Sequence, residues 1–119
     1  MARLDHAIAG LEQALDRPRR HQMWRWLVRH RVAGVHEALA GERAWATDAW
    51  LTPRQTALAR ERDTLLHKLQ WLGSEVAESP DVEPVHGELR RLLGELERHR
   101  QKLNDLVYDG VALELGGSE

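Results

Sequence analysis

One apolar repeat near the C-terminus constrains the fold more than any other feature of the sequence. Steps of four and three residues, read forward from residue 85, land on nine positions, and seven of these are apolar. The nine are Val85, Leu89, Leu92, Leu96, His99, Leu103, Leu106, Gly110 and Leu113. This spacing is typical of a helix that packs lengthwise against other helices. It predicts a long bundled helix over residues 85–113, with His99 as the one titratable side chain in its seam.

Three earlier segments carry apolar residues at helical spacing and complete a bundle. They are predicted over residues 3–16, 18–50 and 53–78. Pro18 suits the first turn of the second helix, and Thr52 with Gln55 has the sequence of a capping box at the start of the third. Two prolines predict a connector over residues 79–84. The predicted fold is all-α: an up-down antiparallel helical bundle of three long helices plus a short N-terminal helix.

Length and composition narrow the class of protein. The 119 residues suit a single domain, assigned to residues 1–115 with a flexible tail at 116–119. The absence of cysteine excludes disulfides, thiolate metal sites and a cysteine nucleophile. No apolar run approaches the ~20 residues of a membrane-spanning helix. The N-terminus has no apolar signal core, so a cytoplasmic protein is expected.

A polar layer emerges when the helices are paired. Short connectors make successive helices antiparallel neighbours, so the numbers of facing residues have a constant sum. A sum of 161 pairs the third and fourth seams and places Arg62 opposite His99. A sum of 104 pairs the second and third and places Glu42 opposite Arg62. The sequence therefore predicts that Glu42, Arg62 and His99 share one layer of the core.

Two interpretations of this layer remain open. The favoured one is structural, because a carboxylate, a guanidinium and an imidazole can satisfy one another and fix the helix register. On this interpretation Glu42→Ala costs more stability than Glu61→Ala. The alternative is a metal or small-ligand site built from His99, Glu42, Glu61 and Glu95. The guanidinium disfavours a cation, because its charge cannot be titrated away.

Seven histidines in a four-helix chain invite comparison with di-iron bundles such as hemerythrin. Those proteins carry His-x-x-x-Glu or His-x-x-x-His pairs, and this chain has neither: His30 and His36, for example, are six residues apart. A Gly-rich phosphate loop, a Walker-type lysine and a zinc-protease helix motif are also absent from the sequence. The similarity to hemerythrin is therefore one of architecture, and a protein without cofactor or enzymatic activity is predicted.

The stretch from residue 17 to residue 36 is basic and contains two tryptophans. It has six arginines, three histidines and no acidic residue. The candidate anion-binding residues are Arg17, Arg19, Arg20, Arg25 and Arg29. The favoured interpretation is a solvated face that pairs with neighbouring acids. The alternatives are nucleic acid, with tryptophan stacked on bases, an anionic membrane surface, or an acidic protein. The net charge of -2 makes nucleic acid a less favoured partner.

The short first helix predicts an uncovered flank on the second. Pairing the two with a sum near 35 places Leu4 beside Arg31 and leaves the later flank without cover. That flank contains Gly34, Ala38, Gly41, Trp45 and Trp50. Small residues permit close helix approach, and exposed tryptophan marks contact surfaces. The leading hypothesis is a non-enzymatic interaction module that forms a homodimer through this flank. A partner protein's helix, a small apolar ligand, or closure by a bend at Gly41 are the alternatives.

The C-terminal stretch HRQKLNDLVYDGVALELGGSE, residues 99–119, resembles the end of short helical proteins of actinobacteria. The resemblance covers about a fifth of the chain and carries no assigned activity. It implies a cytosolic helical domain and transfers no site residue.

Overall fold

The computed structural model describes residues 2–20, 22–42 and 52–116, with side chains for residues 3–20, 22–42 and 52–106. Four helices occupy these ranges, and they contain no strand. The helices are α1 (Ala2–Leu15), α2 (Trp24–Gly41), α3 (Pro53–Glu78) and α4 (Val82–Gly116). Each packs on the next in chain order, and α1 closes the ring against α4. The predicted all-α bundle is confirmed. None of the described helices is long and apolar enough to cross a membrane.

The core is formed by one apolar stripe from each helix. The α4 seam is buried from Val85 to Leu103, and its partners on α3 run from Leu58 to Val76. Helix α1 contributes Leu4, Ile8, Leu11 and Leu15. Full burial of one leucine side chain stabilises the fold by about 1.5–3 kcal/mol, so these stripes fix which face of each helix points inward.

Cross-helix contacts establish the register of α3 against α4. Nδ1 of His99 lies 2.7 Å from Oε1 of Glu61, and Nζ of Lys68 lies 3.0 Å from Oε2 of Glu95. The residue numbers of these pairs sum to 160 and 163. Both values lie within two of the predicted 161, so the predicted antiparallel pairing agrees with the contacts.

Arg25 joins α2 to the end of α3. Its Nη1 donates to the carbonyl oxygen of Val76 at 3.0 Å and to that of Ser79 at 2.6 Å. Carbonyls in the last turn of a helix have no intrahelical donor, and a cation is favoured there by the helix dipole. The pair of Arg25 and Ser79 sums to 104, as predicted for α2 and α3.

Helix α1 lies further along α2 than the sequence predicted. Nη2 of Arg3 is 3.9 Å from Oε1 of Glu37, and a Cβ built at Gly10 would lie 3.5 Å from the side chain of Arg31. These pairs sum to 40 and 41. The predicted sum near 35, which placed Leu4 beside Arg31, is therefore wrong. A longer connector than expected causes the shift.

That connector is longer because α2 begins at Trp24 and not at Pro18. Trp24 is fully buried and is the first residue of α2 in the core. In the connector, Nε of Arg19 donates to Oε1 of Glu83 at 2.5 Å, which ties the turn to α4. The predicted end of the second helix at Trp50 lies outside the described residues.

The start of α3 was predicted correctly, but α4 begins before the predicted residue. Oγ1 of Thr52 accepts from the backbone N–H of Gln55, and the Gln55 side chain accepts from the N–H of Thr52, so the predicted capping box is confirmed. Helix α4 begins at Val82, earlier than predicted, with Oδ1 of Asp81 accepting from the N–H two residues on. The connector predicted to reach Pro84 is therefore shorter. Proline is tolerated there because a first-turn N–H has no intrahelical partner.

Candidate functional site

Three polar side chains from three helices meet at one level of the bundle. Arg62 on α3 and His99 on α4 are buried, with 6% and 1% exposure, and they are the two buried polar residues in the described ranges. Glu42, just after α2, is half-buried. The positive charge of Arg62 acts to lower the pKa of both Glu42 and His99, and no hydrogen bond joins Glu42 to Arg62.

The hydrogen-bond partner of His99 is not a member of the favoured polar layer but a residue of the alternative metal site. Its Nδ1 lies 2.7 Å from Oε1 of Glu61, and Nζ of Lys102 donates to the other oxygen of Glu61 at 2.8 Å. Burial lowers the pKa of His99, although the bond to Glu61 opposes this shift. The imidazole is therefore neutral at pH 7, and Nδ1–H donates to Glu61. Nε2 is then an acceptor, buried without a partner.

Glu61 has the opposite electrostatic character. Burial acts to raise its pKa, but the hydrogen bonds from Lys102 and His99 outweigh it and hold the pKa below the ordinary value. Glu61 thus links an exposed ammonium to a buried imidazole. The favoured polar layer omitted this pair because Glu61 lies one position outside the α3 seam, although the metal-site alternative grouped Glu61 with His99.

Glu42 and Arg62 do not satisfy each other as the layer hypothesis supposed. Both oxygens of Glu42, and Nε and Nη1 of Arg62, are buried and have no hydrogen-bond partner. Burial raises the pKa of Glu42, and the opposing effect of Arg62 is smaller. A buried polar group without a partner costs about 1–3 kcal/mol. Arg62 therefore has unpartnered donors and Glu42 has unpartnered acceptors at this level of the bundle. Such an arrangement is suited to water or a small polar molecule.

Two of the four residues of the predicted metal site form salt bridges with lysines. Glu95 accepts from Lys68 at 3.0 and 3.2 Å, and Glu61 accepts from Lys102. His99 meets Glu61 alone among the proposed ligands. Within the described ranges, no group of three or more histidine, aspartate or glutamate side chains could hold a metal ion.

Three of the five candidate anion-binding arginines share one depression, and the other two lie elsewhere. Arg25 is bound to the carbonyls at the end of α3, and Arg19 is paired with Glu83. Arg17, Arg19 and Arg20 line one shallow depression, which also contains the carboxylates of Asp16 and Glu83. Arg29 lies apart from these, beside the groove between α2 and α3. Arg29 is thus the candidate arginine that lines a depression with no acidic lining residue.

The predicted interface flank is partly covered by α1. Ala38 is buried, and Gly34 lines a depression shared with Arg3 and Ala7 of α1. This cover follows from the shifted register of α1. Gly41 is exposed, and a Cβ built there would meet no atom within 4 Å. The remaining members of the flank, Trp45 and Trp50, lie outside the described residues.

Large exposed apolar side chains occur at positions that the sequence analysis did not select. Met23, Trp26 and Trp71 are 52%, 57% and 59% exposed. The exposure of Trp26 could have been predicted from the sequence. Trp26 follows the buried Trp24 by two residues, which is about 200° around a helix, so it lies on the opposite face. The indole of Trp26 stacks on the ring of His30, with centroids 5.3 Å apart and planes 3° from parallel.

Comparison with protein-family models, with curated proteins and with solved structures finds no match to this chain. The resemblance of the C-terminal stretch to actinobacterial helical proteins therefore stays a prediction. Inference of function rests on the buried groups and surfaces described above.

Proposed function

We propose that this protein is a non-enzymatic helical interaction module that binds its partner through the outer face of α2. The observation that carries the proposal is the exposure of Trp26, which is 57% accessible on a helix whose opposite face is packed in the core. Large exposed apolar side chains mark contact surfaces, and tryptophan is enriched among the residues that dominate binding energy.

The surroundings of Trp26 support a binding role. Met23, Trp26 and His30 follow one another at spacings of three and four residues, so they form one outward stripe, here called the aromatic face. The stack with His30 holds the indole in place, which reduces the entropy that a partner would have to remove. Methionine adds a flexible side chain that adapts to irregular surfaces. The aromatic face is therefore preorganised for contact.

Site-specific photo-cross-linking tests the proposal. A photoreactive amino acid replaces Trp26 in the intact chain, and the same residue at the exposed Arg60 of α3 is the control. We expect a discrete product in source cells from position 26 and none from position 60. A product near twice 13.7 kDa identifies a second copy, and another mass identifies a different protein. Absence of any product at position 26 contradicts the proposal.

Homodimerisation through Gly34, Ala38, Gly41, Trp45 and Trp50 is a more specific form of this proposal. Gly41 supports it, since this residue is exposed and its lack of a side chain allows a second helix to approach closely. Size-exclusion chromatography with light scattering tests it. A dimer that Trp45→Glu converts to a monomer supports this flank, and a monomer at every concentration contradicts it.

Metal or small-ligand binding around His99 is a second candidate function. The observation in its favour is the buried Nε2 of His99, which has no hydrogen-bond partner. Metal analysis of the same chromatographic peak tests it. Stoichiometric metal that His99→Leu abolishes would support this function. Metal-free protein whose Tm does not respond to added zinc or iron contradicts the metal form of it.

A further inference from the structure

His86 joins three parts of the bundle near the start of α4. Its Nε2 lies 3.0 Å from the carbonyl oxygen of Leu15, the last residue of α1. The same nitrogen lies 3.2 Å from Nη1 of Arg19, in the connector between α1 and α2. The ring also lies against the indole of Trp24, with centroids 6.1 Å apart and planes 32° from parallel. One imidazole thus contacts α1, the connector and α2.

The two polar partners of Nε2 place opposite demands on this nitrogen. A carbonyl oxygen needs an N–H, whereas a guanidinium, which has donors only, needs a lone pair. A neutral ring with its proton on Nδ1 accepts from Arg19, and a neutral ring with its proton on Nε2 donates to Leu15. A protonated ring carries a hydrogen on both nitrogens, so it donates to Leu15 and cannot accept from Arg19. The protonation state of His86 therefore selects between the two partners.

Leu15 and Trp24 both favour the protonated ring. Carbonyls in the last turn of a helix have no intrahelical donor, and the helix dipole favours a cation at that end. An indole also attracts a nearby cation. Both residues are 1% exposed, so the core holds them in place beside the ring.

Arg19 is the partner that is free to move. Its side chain is 37% exposed and lies in a turn, outside the helices. Beside a protonated His86, two positive charges would face each other across the 3.2 Å contact. The other bond of Arg19, to Glu83, is an exposed ion pair of a kind that contributes about 0–1 kcal/mol. Such a pair is weak enough for the guanidinium to turn away from the ring.

Other charged side chains lie around this joint. In the described residues they are Asp16 at the end of α1 and Glu83 and Arg90 on α4. Asp16 and Arg90 are bonded to each other, so their charges oppose each other at His86. Glu83 is bonded to Arg19, and the neighbour from α2, Trp24, carries no charge. Arg19 is therefore the charged group that bonds to the neutral ring and is repelled by the protonated one.

We propose that His86 is a proton-sensitive switch for the connector between α1 and α2. The neutral ring holds Arg19 against α4, and the protonated ring releases Arg19 while it keeps the end of α1 in place. The connector leads directly into Trp24, the first residue of α2, and so into the aromatic face. Acid therefore loosens the segment next to the proposed binding surface. This inference concerns bonds within the chain and does not depend on the proposed function.

Nuclear magnetic resonance of the full-length protein tests the switch. The sample is titrated between about pH 5 and pH 8, the range over which histidine changes charge. The ring nitrogens report protonation of His86, and the Nε–H resonance reports the position of Arg19. We expect the Arg19 resonance to move with the same midpoint as the His86 ring. His86→Gln keeps a donor and an acceptor but never becomes charged, so the Arg19 resonance should then stay in place. An Arg19 resonance that is unchanged in the wild type, or that moves equally in His86→Gln, overturns the inference.

A second variant tests the same coupling with His86 intact. Arg19→Ala removes the charge that opposes protonation, so the titration midpoint of His86 should rise by at least about half a pH unit. Arg20→Ala is the matched control, because Arg20 lines the same depression as Arg19 but makes no bond to His86 in the described structure. Its midpoint should stay close to that of the wild type. Equal midpoints in wild type and Arg19→Ala, or equal rises in the two variants, would contradict the switch.

Discussion

The bond from His99 to Glu61 should provide most of the compensation for burying the imidazole. Glu61→Ala leaves Nδ1 of His99 without its acceptor, in a site where Nε2 already has none. A stranded buried donor costs about 1–3 kcal/mol, and the half-exposed pair with Lys102 adds at most about 1 kcal/mol. We expect Glu61→Ala to lower the free energy of unfolding by about 2–3 kcal/mol.

A double-mutant cycle separates this bond from other effects of Glu61. His99→Leu removes both ring nitrogens and continues the leucine seam of α4. In that background Glu61→Ala strands no donor, so its cost should fall below about 1 kcal/mol. The coupling free energy between positions 61 and 99 should then be about 1.5–2 kcal/mol, within the range for residues in contact.

Urea unfolding followed by far-ultraviolet circular dichroism, at pH 7.5 and one protein concentration, measures these quantities. Glu95→Ala is the matched control, because Glu95 accepts from Lys68 across the same two helices and touches no buried imidazole. Its cost should be about 1 kcal/mol or less. Equal costs for Glu61→Ala and Glu95→Ala, or equal costs of Glu61→Ala in both backgrounds, would refute the reasoning.

Four further outcomes are expected in the same assay. Burial lowers the pKa of His99 from 6.5, so the folded state favours the neutral imidazole, and this contribution to stability is present above pH 6.5. It is lost as the pH falls from 6.5 through the folded pKa, so wild-type stability should decline over that range. The stability of His99→Leu should decline less over the same range. The raised pKa of Glu42 means that its charge opposes folding at pH 7, so Glu42→Ala should cost less than Glu61→Ala, and the reverse order would support the layer as first predicted. Arg25→Ala should cost about 1–2 kcal/mol through two lost carbonyl bonds, while Arg29→Ala should cost under ~0.5 kcal/mol. Thr52→Ala should cost about 1 kcal/mol and Thr52→Ser almost nothing, and equal losses would argue against the capping box.

The sequence predicted the pairing of α2, α3 and α4 because seam residues recur with few interruptions on all three helices. The register of α1 could not be obtained in the same way, since it depends on the length of the connector before Trp24. Pro18 gave a plausible helix start, but proline at a first turn is permitted and not required. A helix start is thus the weak step when a register is derived from sequence.

The polar groups illustrate a second limit. Pairing of seam residues by a constant sum places Arg62 opposite His99. It considers only the seam residues of each helix and ignores their neighbours. Glu61 lies beside the α3 seam, and its longer side chain reaches His99 from the flank. Side-chain reach decides which carboxylate meets a buried imidazole, and residue numbering carries no information about it. The exposure of Trp26, in contrast, followed from its angle to Trp24 and could have been predicted.

Nuclear magnetic resonance of the indole N–H groups tests the proposed binding surface most directly. Resonances are assigned from the single variants Trp24→Phe, Trp26→Ala and Trp71→Ala, and the partner captured by cross-linking from position 26 is titrated into labelled wild-type protein. The account predicts a saturable shift of the Trp26 resonance, with that of Trp71, which lies on α3, unmoved. A shift at Trp71 with Trp26 unchanged, or no shift at either, would contradict it.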